Sequence, residues 1–252
     1  MSSDHRRTIL VTGASRGIGA AIGRAFAAAG DRVAVITGTA PMRPSRSRRR
    51  WPVAAILWSV RTSPTRRRSG VVDAAADRLG GLDVLVNNAG VFRPHPIANT
   101  NYEDWQRAWH QTLSVNLVGA ANVSWCAAQH MITAGGRSIV NAASRGAFRG
   151  GPKQPAYGAS KAGLVALGQS LAVALGPHGI SVTAVAPGLV DTAMAAENLA
   201  GERGELRRAE SPLGRIATAE EIAAAVVYLA SSQAAMTSGT VLDINGASYL
   251  RM

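Results

Sequence analysis

The stretch TILVTGASRGIGAAIGRAFAAAG, residues 8–30, decides the fold. It begins with five apolar and β-branched residues, 8–12, which predict a buried strand. A turn containing Gly13, Gly17 and Gly19 follows, and then an alanine-rich helical pattern that stops at Gly30. Glycines let backbone approach a pyrophosphate closely, and a helix N-terminus offers it free N–H groups. Strand, glycine turn and helix in this order therefore predict a dinucleotide site, with a plain tight turn as the alternative.

The rest of the chain repeats the alternation of strand and helix. Apolar runs predict further strands at residues 32–37, 82–86, 136–141, 180–186 and 240–244. Helical spacing predicts helices at 71–79, 102–134 (one or two), 157–175 and 218–230, and residues 197–210 indicate a mobile lid or helical flap. With no internal repeat, we predict one α/β domain over residues 1–252: a doubly wound, Rossmann-type parallel sheet with helices on both faces.

Bulk composition limits the class of protein. The single cysteine, Cys126, excludes an internal disulfide and fits a reducing compartment. No long apolar run precedes the first motif, and the longest elsewhere, residues 51–60, is too short to cross a bilayer. We therefore expect a cytoplasmic protein without a membrane partner.

The net charge of +12 is concentrated in one segment. Without nine arginines between residues 43 and 68 it would be about +3, which is ordinary for a soluble domain. A nucleic-acid binder using these arginines is a remote alternative, because neither regular interleaving with aromatic residues nor a binding motif accompanies them. We expect no nucleic-acid partner.

Residues 41–70 are anomalous. The fold needs a helix and a third strand here, but this segment shows neither the helical nor the strand periodicity of apolar residues. One interpretation is a disordered basic insertion. Another is that the segment is out of frame, through a sequence error or a compensated frameshift. In the shifted reading frame, the third base of each codon combines with the first two bases of the next codon. In that frame residues 60–70 can encode ADVTDPAAVR, which would supply a strand, a turn and the start of a helix.

The chemistry is concentrated in residues 141–161, NAASRGAFRGGPKQPAYGASK. Tyr157 and Lys161 are one helical turn apart, so they share a helix face. A neighbouring ammonium favours the phenolate, so we expect Lys161 to lower the pKa of Tyr157 toward neutrality. Ser144, on the preceding loop, can hydrogen-bond a carbonyl or alcohol oxygen held against the tyrosine.

Amide side chains occupy two further positions of interest. Asn87 and Asn88 follow a predicted parallel strand at the sheet edge where ligands bind. Asn116 lies inside a helical pattern, where its propensity is poor. A buried amide that holds a water or a carbonyl would explain it, and a solvated Asn is the alternative.

In order and spacing these motifs resemble the short-chain dehydrogenase/reductases in their common form of about 250 residues, over nearly the whole chain outside 41–70. The matching pieces are residues 12–19, 87–90, Asn116, Ser144, 157–161 and 187–188 with Thr192. The tail SPLGRIATAEEIAAAVVYLAS resembles 3-oxoacyl-carrier-protein reductases, among other members. The resemblance implies hydride transfer between NAD(P)(H) and a carbonyl or secondary alcohol.

The resemblance also implies residue roles. Tyr157 would be the general acid/base, Lys161 would tune it and bind the nicotinamide ribose, Ser144 would position the substrate oxygen, and Asn116 would hold a relay water. The residues implied in cofactor binding are Gly13, Ser15, Arg16, Gly17, Ile18, Gly19, Asn87, Ala89, Gly90, Tyr157, Lys161, Pro187, Gly188, Val190 and Thr192. No metal site is expected, and the partner is a small carbonyl or alcohol, with a homodimer or homotetramer implied.

Departures from the family pattern leave two questions. No acid follows the second strand, while Arg16 and Arg43 are near, which indicates NADP(H) slightly over NAD(H). The usual Asp after the third strand is replaced by Arg61-Thr62 or a neighbour. If the sequence is real, we expect a damaged central strand and weak cofactor binding. The alternative to an active oxidoreductase is then a catalytically impaired binding protein with the same fold.

The loops at residues 93–100, 145–156 and 189–211 are predicted to form the substrate pocket. Three basic residues in them, Arg145, Arg149 and Lys153, either favour an acidic carrier or are simply solvated.

Overall fold

A computed structural model describes residues 6–37, 59–61, 69–192 and 201–251. Within them, seven parallel strands form one sheet in the order β3-β2-β1-β4-β5-β6-β7. The strands are β1 (Thr8–Thr12), β2 (Arg32–Thr37), β3 (Ser59–Arg61), β4 (Val84–Asn87), β5 (Ser138–Ala142), β6 (Ser181–Pro187) and β7 (Val241–Ile244). The predicted doubly wound sheet is confirmed.

Helices connect the strands, as the parallel arrangement requires. They are α1 (Gly17–Ala28), α2 (Ser69–Leu79), α3 (Tyr102–Leu113), α4 (Gly119–Ala134), α5 (Pro155–Leu175), α6 (Gly201–Ala209) and α7 (Ala219–Leu229). A π-helical turn, Ser114–Val118, joins α3 to α4. The predicted flap contains α6, while residues 193–200 lie outside the described part of the chain.

The core lies on both faces of the sheet because strand side chains alternate between them. Ile9 and Val11 of β1 pack into a buried cluster with α1 and α7, whereas Leu10 joins a second cluster with α2 and α4. This is why the strands read as continuous apolar runs rather than alternating ones.

The strand order fixes where a ligand can bind. From β1 the chain moves outward to β2 and β3, then returns to form β4 on the other side of β1. At this switch point the connections from β1 and β4 lead to helices on opposite faces of the sheet, α1 and α4, and ligands bind at the carboxyl edge beside such a point. Every catalytic residue predicted from the sequence follows β4 or β5 along the chain.

The anomalous segment contains one element that the sequence did not predict. Ser59–Arg61 pairs with β2 through the registers Val35–Ser59 and Ile36–Val60. Contrary to the expectation from sequence, this strand is not central, because the outward path of the chain places β3 at the sheet edge. Damage to the strand and weak cofactor binding stay predictions. Residues 41–58 and 62–68 lie outside the described residues, so Arg43 and the frameshift hypothesis stay untested.

One segment of the described residues, Pro155–His178, is long and apolar enough to cross a membrane by length and composition. A core helix meets the same criterion, and here the segment contains α5, which packs on β6 and α3. One third of its most apolar window is buried.

Candidate active site

The glycine turn after β1 is packed against the loop after β4. Gly13 has a left-handed backbone (φ +69°), and a Cβ there would lie 2.7 Å from the Cα of Ala89. A Cβ on Gly19 would lie 2.6 Å from the carbonyl oxygen of Gly13 and would also overlap the side-chain amide of Asn88. The two glycines are therefore required by the chain's own packing, which brings the predicted 13–19 and 87–90 motifs together.

The N-terminus of α1 fits a phosphate group. Its N-cap residue, Arg16, makes no side-chain capping hydrogen bond, and its first turn carries no acid. The exposed residues Ser15 and Arg16 border this turn. Free first-turn N–H groups and the helix dipole favour an anion here, so the residues present suit the pyrophosphate of a dinucleotide.

The loop after β6 reaches the same turn. A Cβ on Gly17, whose φ is +55°, would lie 3.5 Å from Cγ2 of Thr192. Gly188 packs against Asn245, where a Cβ would come within 2.9 Å of the Asn245 Cβ, and Val190 forms a β-bridge with Ala217. Thr192, one of the implied cofactor residues, thus lies beside the glycine turn although it is far away in sequence, and Gly188 and Val190 are held by the segments at Asn245 and Ala217.

Hydrogen bonds around Thr12 lock the two motifs together. The Thr12 hydroxyl donates to Val86 O (3.3 Å) and accepts from the backbone N–H groups of Asn88 and Ala89, both at 3.0 Å. The Asn88 amide donates to the carbonyl oxygens of Thr12 (2.9 Å) and Gly13 (3.2 Å). The sequence alone predicts no individual role for Asn88, and these hydrogen bonds show that it connects the two motifs.

Asn116 is fully buried in the π-helical turn. Its Oδ1 accepts from Val91 N at 2.8 Å, and its Nδ2 donates to Val91 O at 3.1 Å and to Ser160 Oγ at 3.0 Å. Of the explanations considered from sequence, the structure therefore has the amide holding a carbonyl. π-turns inside α-helices often mark functional positions, and this one aims Asn116 at the loop after β4.

Lys161 is buried, with 4% of its surface exposed, and its ammonium donates to Ala142 O at 2.6 Å. Burial disfavours the charged form and lowers its pKa to about 8. A Cβ on Gly90 would lie 3.6 Å from Lys161 Nζ and 3.5 Å from Asn116 Oδ1. Gly90 therefore leaves room for the lysine ammonium and the asparagine amide, which both approach the loop after β4.

Tyr157 lies on the same helix face, with Lys161 Nζ 5.8 Å from the centre of its ring. Phe92 packs edge-on against the tyrosine ring at 5.2 Å, and a Cβ on Gly146 would lie 3.5 Å from it. The expected depression of the tyrosine pKa by Lys161 is wrong for the protein without cofactor. Burial raises the pKa of Tyr157, and a hydrogen bond with Ser144 lowers it only in part.

Ser144 caps a short 3₁₀ turn immediately after β5. Its Oγ accepts from Gly146 N at 3.0 Å, which fixes the hydroxyl close to the Tyr157 ring packed on Gly146. The structure thus brings together the four residues implied in catalysis: Asn116, Ser144, Tyr157 and Lys161.

Sequence reasoning missed a buried amide pair beneath the site. Asn87 Nδ2 donates to Asn141 Oδ1 at 2.9 Å and to Ser124 Oγ at 2.8 Å. This pair joins the carboxyl ends of β4 and β5. A polar residue ending each of two adjacent parallel strands was the available signal for it.

The three basic residues considered for an acidic carrier are not all solvated. Arg145 and Arg149 both bind the carboxylate of Glu210, at 2.9 and 3.1 Å. Arg145 is largely buried, with 12% of its side chain exposed. The simple-solvation alternative is therefore wrong for Arg145, and the contact joins the catalytic serine loop to the residue that follows α6.

Comparison with known proteins agrees with this geometry. Residues 13–247 match the family model described as Enoyl-(Acyl carrier protein) reductase. The chain is 38% identical over 245 residues to the cis-4-hydroxycyclohexanecarboxylate dehydrogenase of Sinomonas cyclohexanicum, covering 95% of each protein. It is 34% identical over 244 residues to the 3-oxoacyl-[acyl-carrier-protein] reductase of Aquifex aeolicus, covering 95% of this chain and 96% of the relative.

A solved structure shares the fold. It is a short-chain type dehydrogenase/reductase from Mycobacterium ulcerans with a TM-score of 0.87 and 27% identity, which covers 96% of this chain and 89% of that one. Fold, motif order and relatives agree, and the chain belongs to the short-chain dehydrogenase/reductase family of NAD(P)-dependent oxidoreductases.

Proposed function

We propose that this oxidoreductase interconverts a carbonyl and a secondary alcohol, with Tyr157 as the proton donor and acceptor. The observation that carries the proposal is the convergence of Tyr157, Lys161 and Ser144 at the carboxyl edge of the sheet, beside a glycine turn with an uncapped helix. When bound, the nicotinamide supplies or accepts the hydride.

The protein's own residues manage the oxygen and its proton. In reduction, the Ser144 hydroxyl donates to the carbonyl oxygen and orients it, and Tyr157 transfers its phenolic proton to that oxygen. Burial raises the pKa of Tyr157, which keeps the phenol protonated and ready for this direction at neutral pH. In oxidation Tyr157 must first lose its proton, so a higher pH favours that direction.

Lys161 and Asn116 act around the tyrosine. The Lys161 ammonium is held by Ala142 O and lies 5.8 Å from the centre of the Tyr157 ring, where positive charge stabilises a forming phenolate. Asn116 fixes the loop after β4 through both the N–H and the carbonyl of Val91. In the proposed relay a water next to this amide returns protons to the tyrosine.

Cofactor binding is assigned to the glycine turn, the loop after β4 and the loop after β6. NADP(H) is proposed over NAD(H), since Arg16 borders the α1 N-terminus and β2 ends in Thr37 rather than an acid. A guanidinium there suits a 2′-phosphate, whereas a carboxylate would repel it. Gly38, Thr39 and Arg43 lie outside the described residues.

We also propose a cytoplasmic homo-oligomer without a nucleic-acid or membrane partner. Val118, Trp125 and Val173 expose 49%, 65% and 82% of their surface on the adjoining α4 and α5 region. Exposed apolar side chains on adjoining helices suit a second copy of the chain.

The test is titration of the protein with NADPH and NADH, followed by tryptophan fluorescence, together with NADPH oxidation on a panel of ketones. Tyr157→Phe should bind cofactor as the wild type does while turnover falls about 10³-fold, because only the transferable proton is lost. Tyr102→Phe, at an exposed tyrosine on α3, is the matched control and should keep full activity. Undiminished turnover in Tyr157→Phe would overturn the assignment, and a wild type that binds no cofactor would favour the impaired binding protein.

A further inference from the structure

The segment that follows β7 contacts the loop that carries Ser144. We call residues 245–251 the β7 tail and residues 144–149 the serine loop. The tail begins with two residues in the left-handed backbone region, Gly246 (φ +58°) and Ala247 (φ +57°). Within the described part of the chain, Ala247 is the one residue other than glycine with a positive φ. An alanine keeps this unfavourable backbone only where surrounding contacts fix it, so the contacts of the tail determine its path.

The β7 tail is fastened to β7 near both of its ends. At its start, the side-chain amide of Asn245 donates to Tyr249 O at 3.0 Å, which closes the turn. At its end, the Arg251 guanidinium donates to Asp243 Oδ2 and to Val241 O, both at 2.7 Å. The tail therefore folds back along the strand that it leaves, and the residues between these two points are held in place.

Between its ends the β7 tail holds the serine loop at two positions. The Tyr249 hydroxyl donates to Phe148 O at 3.0 Å, and the Arg251 guanidinium lies 4.4 Å from the centre of the Phe148 ring. Ser248 Oγ accepts from Arg145 at 2.7 Å. The tail thus contacts the loop immediately after Ser144 and again four residues beyond it.

Hydrogen bonds inside the serine loop connect these positions to the Ser144 hydroxyl. Phe148 N donates to Arg145 O at 3.1 Å, and Ala147 N donates to Ser144 O at 2.9 Å. Gly146 N donates to Ser144 Oγ itself at 3.0 Å. Because these bonds join the loop into one short turn, a displacement of Phe148 would be passed to Ser144 and would change the direction of its hydroxyl.

We propose that the β7 tail positions the Ser144 hydroxyl for the substrate oxygen, with Tyr249 as the main positioning residue. This inference rests on the proposed function, in which Ser144 orients the carbonyl. Arg145 is also bound by Glu210, so that position stays fastened without the tail, whereas Phe148 depends on Tyr249 and Arg251. Small misplacements of a group that orients the substrate reduce turnover strongly. The competing explanation is that these contacts only anchor the tail.

A double-mutant cycle separates positioning from anchoring. Tyr249→Phe removes one hydroxyl and keeps the ring. In reduction of a ketone by NADPH, this variant should lower kcat about fivefold and leave the Kd of the cofactor unchanged. In a Ser144→Ala background the same substitution should lower kcat by less than about twofold, because the hydroxyl that it positions is already absent.

Tyr228→Phe, at an exposed tyrosine of α7, is the matched control and should change neither kcat nor the cofactor Kd. An equal loss of kcat from Tyr249→Phe in both backgrounds would show that the tail only anchors the fold and would overturn the inference. An unchanged kcat in the single variant would also overturn it, and the proposed function would stand.

Amide hydrogen exchange tests the same contact without turnover. In Tyr249→Phe, peptides that cover residues 144–149 should exchange about fivefold faster than in the wild type, while peptides that cover β1 should not change. Unchanged exchange in the serine loop would contradict the inference in an active enzyme as well. If the wild type reduces no ketone, the proposed function fails, and the exchange rates alone decide whether the tail holds the loop.

Discussion

At the residue scale, the site depends on a lysine that the fold holds at an energetic cost. The pKa of Lys161 falls from 10.5 to about 8 through burial, which corresponds to roughly 3 kcal/mol of lost stability while the folded lysine is charged. The one hydrogen bond to Ala142 O returns only part of this. A buried cation kept at such a cost is typical of function rather than of stability.

Replacing this lysine should therefore separate stability from activity. We expect Lys161→Met to lose turnover and, at pH 7, to gain about 1 kcal/mol in the free energy of unfolding, since the removed burial cost exceeds the cost of orphaning one carbonyl. Between pH 8 and 10.5 the unfolded lysine keeps a proton that the folded one has lost, so the wild type gains stability as the pH rises.

Thermal or urea unfolding of both proteins from pH 7 to 10.5 measures this difference. The advantage of Lys161→Met should shrink steadily above pH 8. A variant less stable than the wild type at pH 7, or an advantage that does not change with pH, would contradict the burial argument.

At the scale of elements, the start of α5 is held by a buried histidine, His95. Its Nδ1 lies 2.7 Å from the carbonyl oxygen of Arg93, which only accepts, so Nδ1 carries the proton. Nε2 is then free to accept from Ala156 N at 3.3 Å, one residue before Tyr157. The ring also packs edge-on against Trp105, with centres 5.3 Å apart.

Loss of this contact should disturb the placement of Tyr157. His95→Leu removes both hydrogen bonds, so we expect about 2 kcal/mol lower stability and a kcat about tenfold lower, with the cofactor Kd unchanged. His95→Asn, which keeps a donor and an acceptor, should recover part of kcat. His110→Leu, at an exposed position of α3, is the control, and a loss confined to stability would show that His95 does not position the tyrosine.

The elements that the sequence predicted are those with a local signal. Strands β1 and β2 and the glycine turn follow from consecutive apolar residues and from φ values that favour glycine. Strand β3 escaped prediction because it is three residues long and pairs only at the sheet edge. The partners of Asn87, Thr12, His95 and Arg145 escaped too, since they lie 54, 76, 61 and 65 residues away and no local pattern records them.

At the scale of the whole molecule, the β3 edge of the sheet and the face covered by α4 and α5 differ in what the chain provides. The β3 edge is a short strand preceded and followed by arginine-rich sequence, whereas Trp125 on α4 and Val173 on α5 expose 65% and 82% of their surface. Exposed apolar side chains on neighbouring helices are candidates for a contact with another protein chain. The α4–α5 region is therefore where self-association should be tested.

Charge placed in that region should break the assembly. We expect the double variant Trp125→Glu/Val173→Glu to shift the protein to the mass of a monomer, because two carboxylates would be buried at a self-complementary interface. Tyr102→Glu, 74% exposed on α3, should leave the mass unchanged. Light scattering coupled to size-exclusion chromatography measures the mass, and circular dichroism checks that the variants are folded. A monomeric wild type, or a folded double variant of unchanged mass, would rule out this region as the interface.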